Sequence, residues 1–143
     1  VFGDENRKDY CGPDDFKEFR ASEALKFAYL PPGTFAITPQ YAAICPDGST
    51  AAFEQEFLAF NFIFIVSYAA GDPAFAHDAS ADRIGPGTVN GNPAVIIRPL
   101  TDAGVGSSAV IVTTAKGAII VTAHDVPLEI TLKIAEGISC EEC

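Results

Sequence analysis

The chain has 143 residues, of which 48% are hydrophobic and 20% charged, so it can bury a core and is too apolar for disorder over most of its length. The formal net charge of −10 and the scattered distribution of Lys and Arg argue against binding to DNA, RNA or anionic lipid. We expect one domain over residues 1–143, without an internal repeat or a linker.

The N-terminal part predicts an arm followed by a helix. Residues 1–12 are polar and acidic. Residues 13–15, Pro-Asp-Asp, favour a helix start because proline suits the first turn and carboxylates complement the helix dipole. The predicted helix runs to about Ala28, before residues 30–33, Leu-Pro-Pro-Gly. Its expected buried residues are Phe16, Phe19, Ala24, Phe27 and Ala28.

Residues 34–45 alternate apolar and polar side chains around Pro39, which predicts an edge strand or two short extended pieces. Residues 45–49, Cys-Pro-Asp-Gly-Ser, predict a turn because proline fixes one dihedral angle and glycine accepts a positive φ. We therefore expect antiparallel pairing with the strand that follows.

Residues 54–68 are the most apolar stretch and predict a long central strand, since aromatic and β-branched side chains suit a pleated sheet. A buried helix is the alternative. A membrane span is not expected because the run is shorter than about 20 apolar residues and contains Asn61. A period of two places one set of side chains on the same face: Leu58, Phe60, Phe62, Phe64, Val66 and Tyr68.

The C-terminal half predicts a loop, two hairpins and a helix. Residues 70–87 are small and polar and predict the longest loop. Asn90-Gly91 is a strong hairpin signal, and a second hairpin joins residues 108–113 to 118–123. A final helix begins near Pro127, with an apolar stripe formed by Leu128, Leu132, Ala135 and Ile138. The predicted fold class is α+β: an antiparallel sheet of about five to six strands, with an N-terminal and a C-terminal helix on one face.

The four cysteines are Cys11, Cys45, Cys140 and Cys143. An even number, in a chain that begins at Val1 and contains no Met, predicts an exported protein with disulfides. Either a leader has been removed or the chain has been trimmed. We favour the pairs Cys11–Cys45 and Cys140–Cys143. A bridge from the N-terminal arm to the tail at residues 139–143, or one between subunits, is the alternative.

Several residue groups could carry chemistry, and each has a structural interpretation that we favour. Cys140-x-x-Cys143 resembles a redox motif, but it follows a helix and encloses two glutamates, which disfavour the thiolate. A zinc site built from all four cysteines would have one knuckle where two are typical. The glycine clusters at residues 85–87 and 104–106 lack the spacing of a phosphate loop. The acidic residues lack the alternating spacing of a calcium loop and predict a solvated surface: Asp14, Asp15, Glu18, Glu54 and Glu56.

Two histidines have neighbouring carboxylates, in His77-Asp78, with Asp82 nearby, and in His124-Asp125. Such pairs can orient a base toward a serine, and the candidate nucleophiles are Ser80, Ser107 and Ser108. No sequence feature brings these residues together, so we predict no catalytic site.

Residues 24–27 with 29–33 resemble the proline-rich segment after the first helix of a bacterial family of unknown function. Residues 89–94 resemble its glycine hairpin, and residues 117–138 resemble its closing hairpin and helix. That family occurs in extracytoplasmic regions of membrane-anchored regulators and secreted proteins, and is distantly similar to lipoprotein-sorting proteins and periplasmic sensor domains. The resemblance implies an extracytoplasmic, non-catalytic α+β domain.

These observations predict a secreted or cell-surface structural or interaction protein that is not an enzyme and needs no cofactor or metal. We expect a homo-oligomer or a complex with another surface protein, formed through an exposed sheet edge, and no nucleic-acid partner or direct membrane insertion. The alternative is a binding module for a lipid or other apolar ligand, or a sensor domain, with the ligand held between sheet and helix.

Overall fold

The computed structural model describes residues 18–71 and 81–143. These residues form mainly β-strands, one α-helix and a 3₁₀ turn at Ala81–Arg83. The elements are β1 Glu18–Ala21, β2 Lys26–Phe27, β3 Phe35–Ala36, β4 Tyr41–Ile44, β5 Thr50–Leu58, β6 Ile63–Ala70, β7 Ile84–Val89, β8 Asn92–Ile97, β9 Ser107–Thr113, β10 Gly117–His124, α1 Leu128–Glu136 and β11 Ile138–Ser139.

The predicted α+β fold class is wrong. A nine-stranded antiparallel sheet dominates the described residues, in the order β1-β4-β5-β6-β10-β9-β8-β7, with β3 also paired to β5. Strands β2 and β11 form a separate two-stranded ribbon. The protein is therefore mostly antiparallel sheet with a short C-terminal helix, and it has more strands than we predict from the sequence.

The predicted N-terminal helix is wrong over its described part, since residues 18–21 form β1 and residues 26–27 form β2. The buried side chain of Gln40 accepts a hydrogen bond from Leu25 N at 2.9 Å and donates one to Leu25 O at 3.2 Å. An amide side chain thus pairs with the backbone as a neighbouring strand would. Burial then alternates with a period of two along Leu25, Phe27 and Tyr29, a signal that the helical interpretation overlooks. Residues 13–17 lie outside the described part of the chain.

Residues 54–68, which we predict to be one long central strand, are β-structure as expected, but they form a hairpin of β5 and β6. Its turn is closed by Ala59 N, which donates to Phe62 O at 2.8 Å, with the turn-forming residue Asn61 between them. Of the side chains predicted to share one face, Phe64, Val66 and Tyr68 do so and are buried. Leu58 lies opposite Ile63 on the other face, and Phe60 lies in the turn and is 90% exposed. The alternation of side chains between the two faces holds only within one strand, and the turn at residues 59–62 interrupts it.

The remaining turns mostly follow their sequence signals. Two short extended pieces, β3 and β4, lie on either side of Pro39, and Gly48 N donates to Cys45 O at 2.9 Å in the predicted turn. Ser49 donates from its hydroxyl and its backbone N–H to Asp47, and these bonds lower the pKa of that carboxyl. The predicted loop at residues 70–87 is wrong from residue 84 onward, where β7 begins; residues 72–80 lie outside the described part of the chain.

Both predicted C-terminal hairpins are confirmed. Asn90 and Gly91 have φ values of 52° and 82°, as a two-residue turn between β7 and β8 requires. Thr114 N donates to Gly117 O at 2.9 Å between β9 and β10. A Cβ on Gly117 would clash with the carbonyl oxygen of Ala69, so β6 and β10 approach closely at this point.

One face of the sheet, which we call the inner face, carries the core. Helix α1 packs on β9 and β10, and the β2–β11 ribbon covers β5, where the rings of Phe27 and Phe57 lie 5.2 Å apart. The buried helix residues are Thr131, Ile134 and Ala135. The predicted stripe packs on the core, since Ala135 is buried and Leu128, Leu132 and Ile138 are partly buried against it, although Ile138 follows the end of the helix. The prediction misses Thr131 and Ile134.

Two hydroxyl groups meet inside this core. Ser108 Oγ and Thr131 Oγ1 are 2.7 Å apart, and both residues have 0% exposure. Because a buried hydroxyl without a partner costs free energy, each side chain satisfies the other where water cannot reach.

We predict that Ser108→Ala and Thr131→Val each lower the free energy of unfolding by about 1–3 kcal/mol, since either change leaves one buried hydroxyl unpaired. The double variant removes both hydroxyls and should lose clearly less than the sum of the two single losses. Urea unfolding of the four proteins measures this coupling. Strict additivity would contradict it.

Candidate functional site

Three of the four cysteines lie in the described part of the chain, and all three are disulfide-bonded. Cys140 and Cys143 form a disulfide with a Cα–Cα distance of 5.4 Å, which confirms this predicted pair. Lys116 N donates to Cys143 O at 2.8 Å, so the tail is held against the turn between β9 and β10. Cys45 is buried and disulfide-bonded. Cys11 lies outside the described residues, so its pairing with Cys45 stays a prediction.

The structure brings together one of the predicted serine–histidine combinations. Register pairs Ser107 with His124 across β9 and β10, and Ser107 Oγ lies 2.7 Å from His124 Nδ1. This distance is within the range of a nucleophile and its general base. Ser108, the other candidate, points into the core toward Thr131. His77 and Ser80 lie outside the described residues.

The third group of a catalytic triad is directed elsewhere. Asp125 Oδ1 accepts a hydrogen bond from Gly106 N at 2.9 Å. This bond occupies the backbone N–H group that precedes Ser107. Asp125 has a φ of 57° and Asp125 N donates to Gly106 O, so these bonds form the connection between β10 and the segment before β9. Ser107 and His124 are both exposed. We interpret them as a cross-strand polar pair at the rim of the sheet.

We predict that a fluorophosphonate probe does not label Ser107, because an activated serine needs an oriented base and free oxyanion donors. Intact-mass analysis followed by peptide mapping measures the label. Stoichiometric modification of Ser107 that disappears in His124→Ala would instead identify a working nucleophile. Ser49, an exposed serine hydrogen-bonded to Asp47, serves as the internal control.

An open groove of ≈ 1110 Å³ lies beside the β2–β11 ribbon. Leu25, Phe27 and Phe57 contribute apolar surface, while Gln40 and Gln55 contribute amides that hydrogen-bond to each other and to the backbone. Under α1 the inner face is filled, since Val110, Val121 and Ile134 have 0% exposure. The space between sheet and helix in which we expect an apolar ligand is therefore occupied by side chains at α1.

The opposite side of the sheet, which we call the outer face, is largely apolar, and neither α1 nor the β2–β11 ribbon covers it, although Ile97 on β8 is buried at 7% exposure. Both α1 and the β2–β11 ribbon lie on the inner face. Five large apolar side chains on the outer face are exposed, with exposed fractions between 41% at Val95 and 60% at Phe35. They are Phe35, Ile37, Tyr41, Ile63 and Val95. An apolar surface of this breadth is typical of an interaction site.

Strand register arranges the centre of the outer face in two rows that cross β5, β6, β10, β9 and β8. The first row is Glu56, Ile65, Thr122, Ala109 and Ile97. The second row is Glu54, Ser67, Ile120, Ile111 and Val95.

Sequence reasoning missed this surface, although a signal for it exists. Strands β9 and β10 are apolar at successive positions, as in Val110-Ile111-Val112 and Ile119-Ile120-Val121. Continuous apolar character, in place of alternation, indicates a strand with apolar side chains on both faces. Four of these six residues lie on the inner face, and Ile111 and Ile120 lie on the outer face.

Within residues 18–71 and 81–143, β7 pairs only with β8, and its other side, which we call the free edge, is poorly suited to the edge pairing that we predict from the sequence. Arg98 N donates to Arg83 O at 2.8 Å, and Gly85 pairs with Ile96, so the N–H positions of residues 85 and 87 face β8. The backbone nitrogen of Pro86 therefore points to the free edge, where proline provides no donor. A proline on an edge strand is a recognised protection against strand addition.

We predict that Pro86→Thr increases strand-mediated aggregation, because it restores a hydrogen-bond donor at the centre of the β7 edge. Pro93→Thr is the matched control, since Pro93 lies on β8 opposite Thr88 and its nitrogen faces the β9 side. Light scattering with thioflavin fluorescence during incubation measures the difference. Equal behaviour of the two variants would show that Pro86 does not protect this edge.

Comparisons of the chain with models of protein families, with curated proteins and with solved structures find no match. The resemblance to the bacterial extracytoplasmic family therefore stays a prediction. Among the described residues, no helix combines the length and the apolar character that a membrane crossing requires.

Proposed function

We propose that the protein is an extracytoplasmic, non-catalytic interaction protein that self-associates through the outer face of its sheet. The observation that carries this proposal is the apolar outer face, which bears half-exposed isoleucines on its central strands while α1 and the ribbon cover the opposite side. Water is in contact with this surface in a single copy, and association removes that contact.

Strand pairing at the β7 edge is the less favourable route for the same function. The β7 edge presents Pro86 at its centre, as the register with β8 indicates. A face-to-face association needs no free backbone donor, since it depends on side-chain packing. We therefore place the association on the face and not on the β7 edge.

The extracytoplasmic location rests on the cysteines. The Cys140–Cys143 disulfide joins residues three apart at the chain's tail, and bonds of this kind persist in oxidising compartments. The location and the association are independent parts of the proposal. Association is measurable on the purified protein in either case.

We predict that sedimentation velocity shows a mass that rises with concentration, and that Ile111→Glu weakens this association at least about tenfold because it buries an unpaired carboxylate. Ile111 is half-buried on the second row. The matched control is Val105→Glu, which places the same charge on an exposed apolar residue of the loop before β9. A strictly monomeric protein at all concentrations would refute the proposed function, and so would equal effects of the two variants.

A further inference from the structure

On the three central strands β6, β10 and β9, the two rows of the outer face carry complementary side-chain sizes, whereas β8 has a large residue in each row, the buried Ile97 and the exposed Val95. On β6, Ile65 lies in the first row and Ser67 in the second. On β10 and β9 the order is reversed, because the small residues Thr122 and Ala109 lie in the first row and the large Ile120 and Ile111 in the second. Each of the three central strands therefore has one large and one small side chain beside the line that separates the rows.

We infer that the outer face pairs with the outer face of a second copy about a two-fold axis that lies between the two rows and runs across the strands. Such an axis exchanges the rows, so the first row of one copy faces the second row of the other. Ile120 of one copy then lies opposite Thr122 of the other, Ile111 opposite Ala109, and Ile65 opposite Ser67. The symmetry repeats each of these contacts with the two copies exchanged. A two-fold interface requires this kind of self-complementarity, in which residue i contacts j and j contacts i. This inference rests on the proposed self-association and specifies its geometry.

The size of the outer face matches what a stable dimer needs. Strands lie about 4.8 Å apart and residues on one face about 6.8 Å apart along a strand, so each residue covers about 33 Å² of the face. The strand registers place roughly two dozen residues on the outer face, and those not already buried in one copy provide roughly 700 Å², close to the about 800 Å² that each partner contributes to an interface of standard size. Two sheets packed about 10 Å apart would form a sandwich with the helices on the outside.

The negative charges of Glu54 and Glu56, at the β5 end of the two rows, oppose this pairing and make it testable. The same axis brings β5 of one copy against β5 of the other, so Glu54 faces Glu56 of the second copy and Glu56 faces its Glu54. Glu54 is exposed and Glu56 is half-buried. Two like-charge contacts result, and they add to the repulsion between chains that each carry a net charge of −10. The geometry thus predicts a weak dimer whose affinity rises with ionic strength.

A charge-reversal cycle at these two positions tests the axis. In Glu54→Lys or Glu56→Lys alone, both like-charge contacts become opposite-charge contacts, and we expect the dimer to tighten about three- to tenfold. In the double variant, lysine faces lysine, so the affinity should return toward that of the unmodified protein. Sedimentation velocity at one fixed low ionic strength measures all four dissociation constants, and thermal unfolding checks that each variant is folded.

The matched control is Glu129→Lys, an exposed position in the first turn of α1 on the other side of the sheet. It changes the net charge by the same amount as each single reversal but should alter the affinity far less. Additive tightening in the double variant, or single reversals that equal the control, would overturn the inferred axis while leaving self-association in place. Absence of any association in the unmodified protein would instead refute the proposed function itself.

Discussion

The pairing of β6 with β10 is the constraint on which the sheet depends. Several neighbouring strands are joined by short turns, as in the β5–β6, β7–β8 and β9–β10 hairpins, whereas β6 ends at Ala70 and β10 begins only at Gly117. Their register pairs Val121 with Val66 and continues over seven residues. A slip by one residue would turn Phe64, Val66 and Tyr68 to the outer face, because side chains alternate between faces.

This register also determines what each face offers. The inner face receives α1 and the β2–β11 ribbon, and the hydroxyls of Ser108 and Thr131 satisfy each other beneath the helix. The outer face receives the residues that alternate with the core, including Ile65, Ile111 and Ile120. A short helix cannot cover both sides of a sheet, so a chain with apolar residues at successive positions leaves one apolar side for another surface.

Local signals predicted the turns well and the long-range structure poorly. Asn90-Gly91 identifies its hairpin because the two residues accept positive φ with little strain, and this depends on no distant contact. The segment around Leu25 was misassigned because its partner, the side chain of Gln40, lies 15 residues away. The serine–histidine pair could be listed but not assembled, since the register of β9 and β10 decides that Ser107, and not Ser108, meets His124.

The sequence by itself determined the sheet-forming character of the apolar runs, the positions of the tight turns, the C-terminal helix and the proximity of Cys140 to Cys143. These features depend on side-chain shape, backbone dihedral preferences and short separations along the chain. Tertiary structure decided the strand order, the division of the predicted central strand into the β5–β6 hairpin, the formation of β1 and β2 where residues 18–27 are predicted to be helical, and the exposure of one apolar face. Those outcomes depend on which distant strands pair, and the free energy of that pairing overrides local preference.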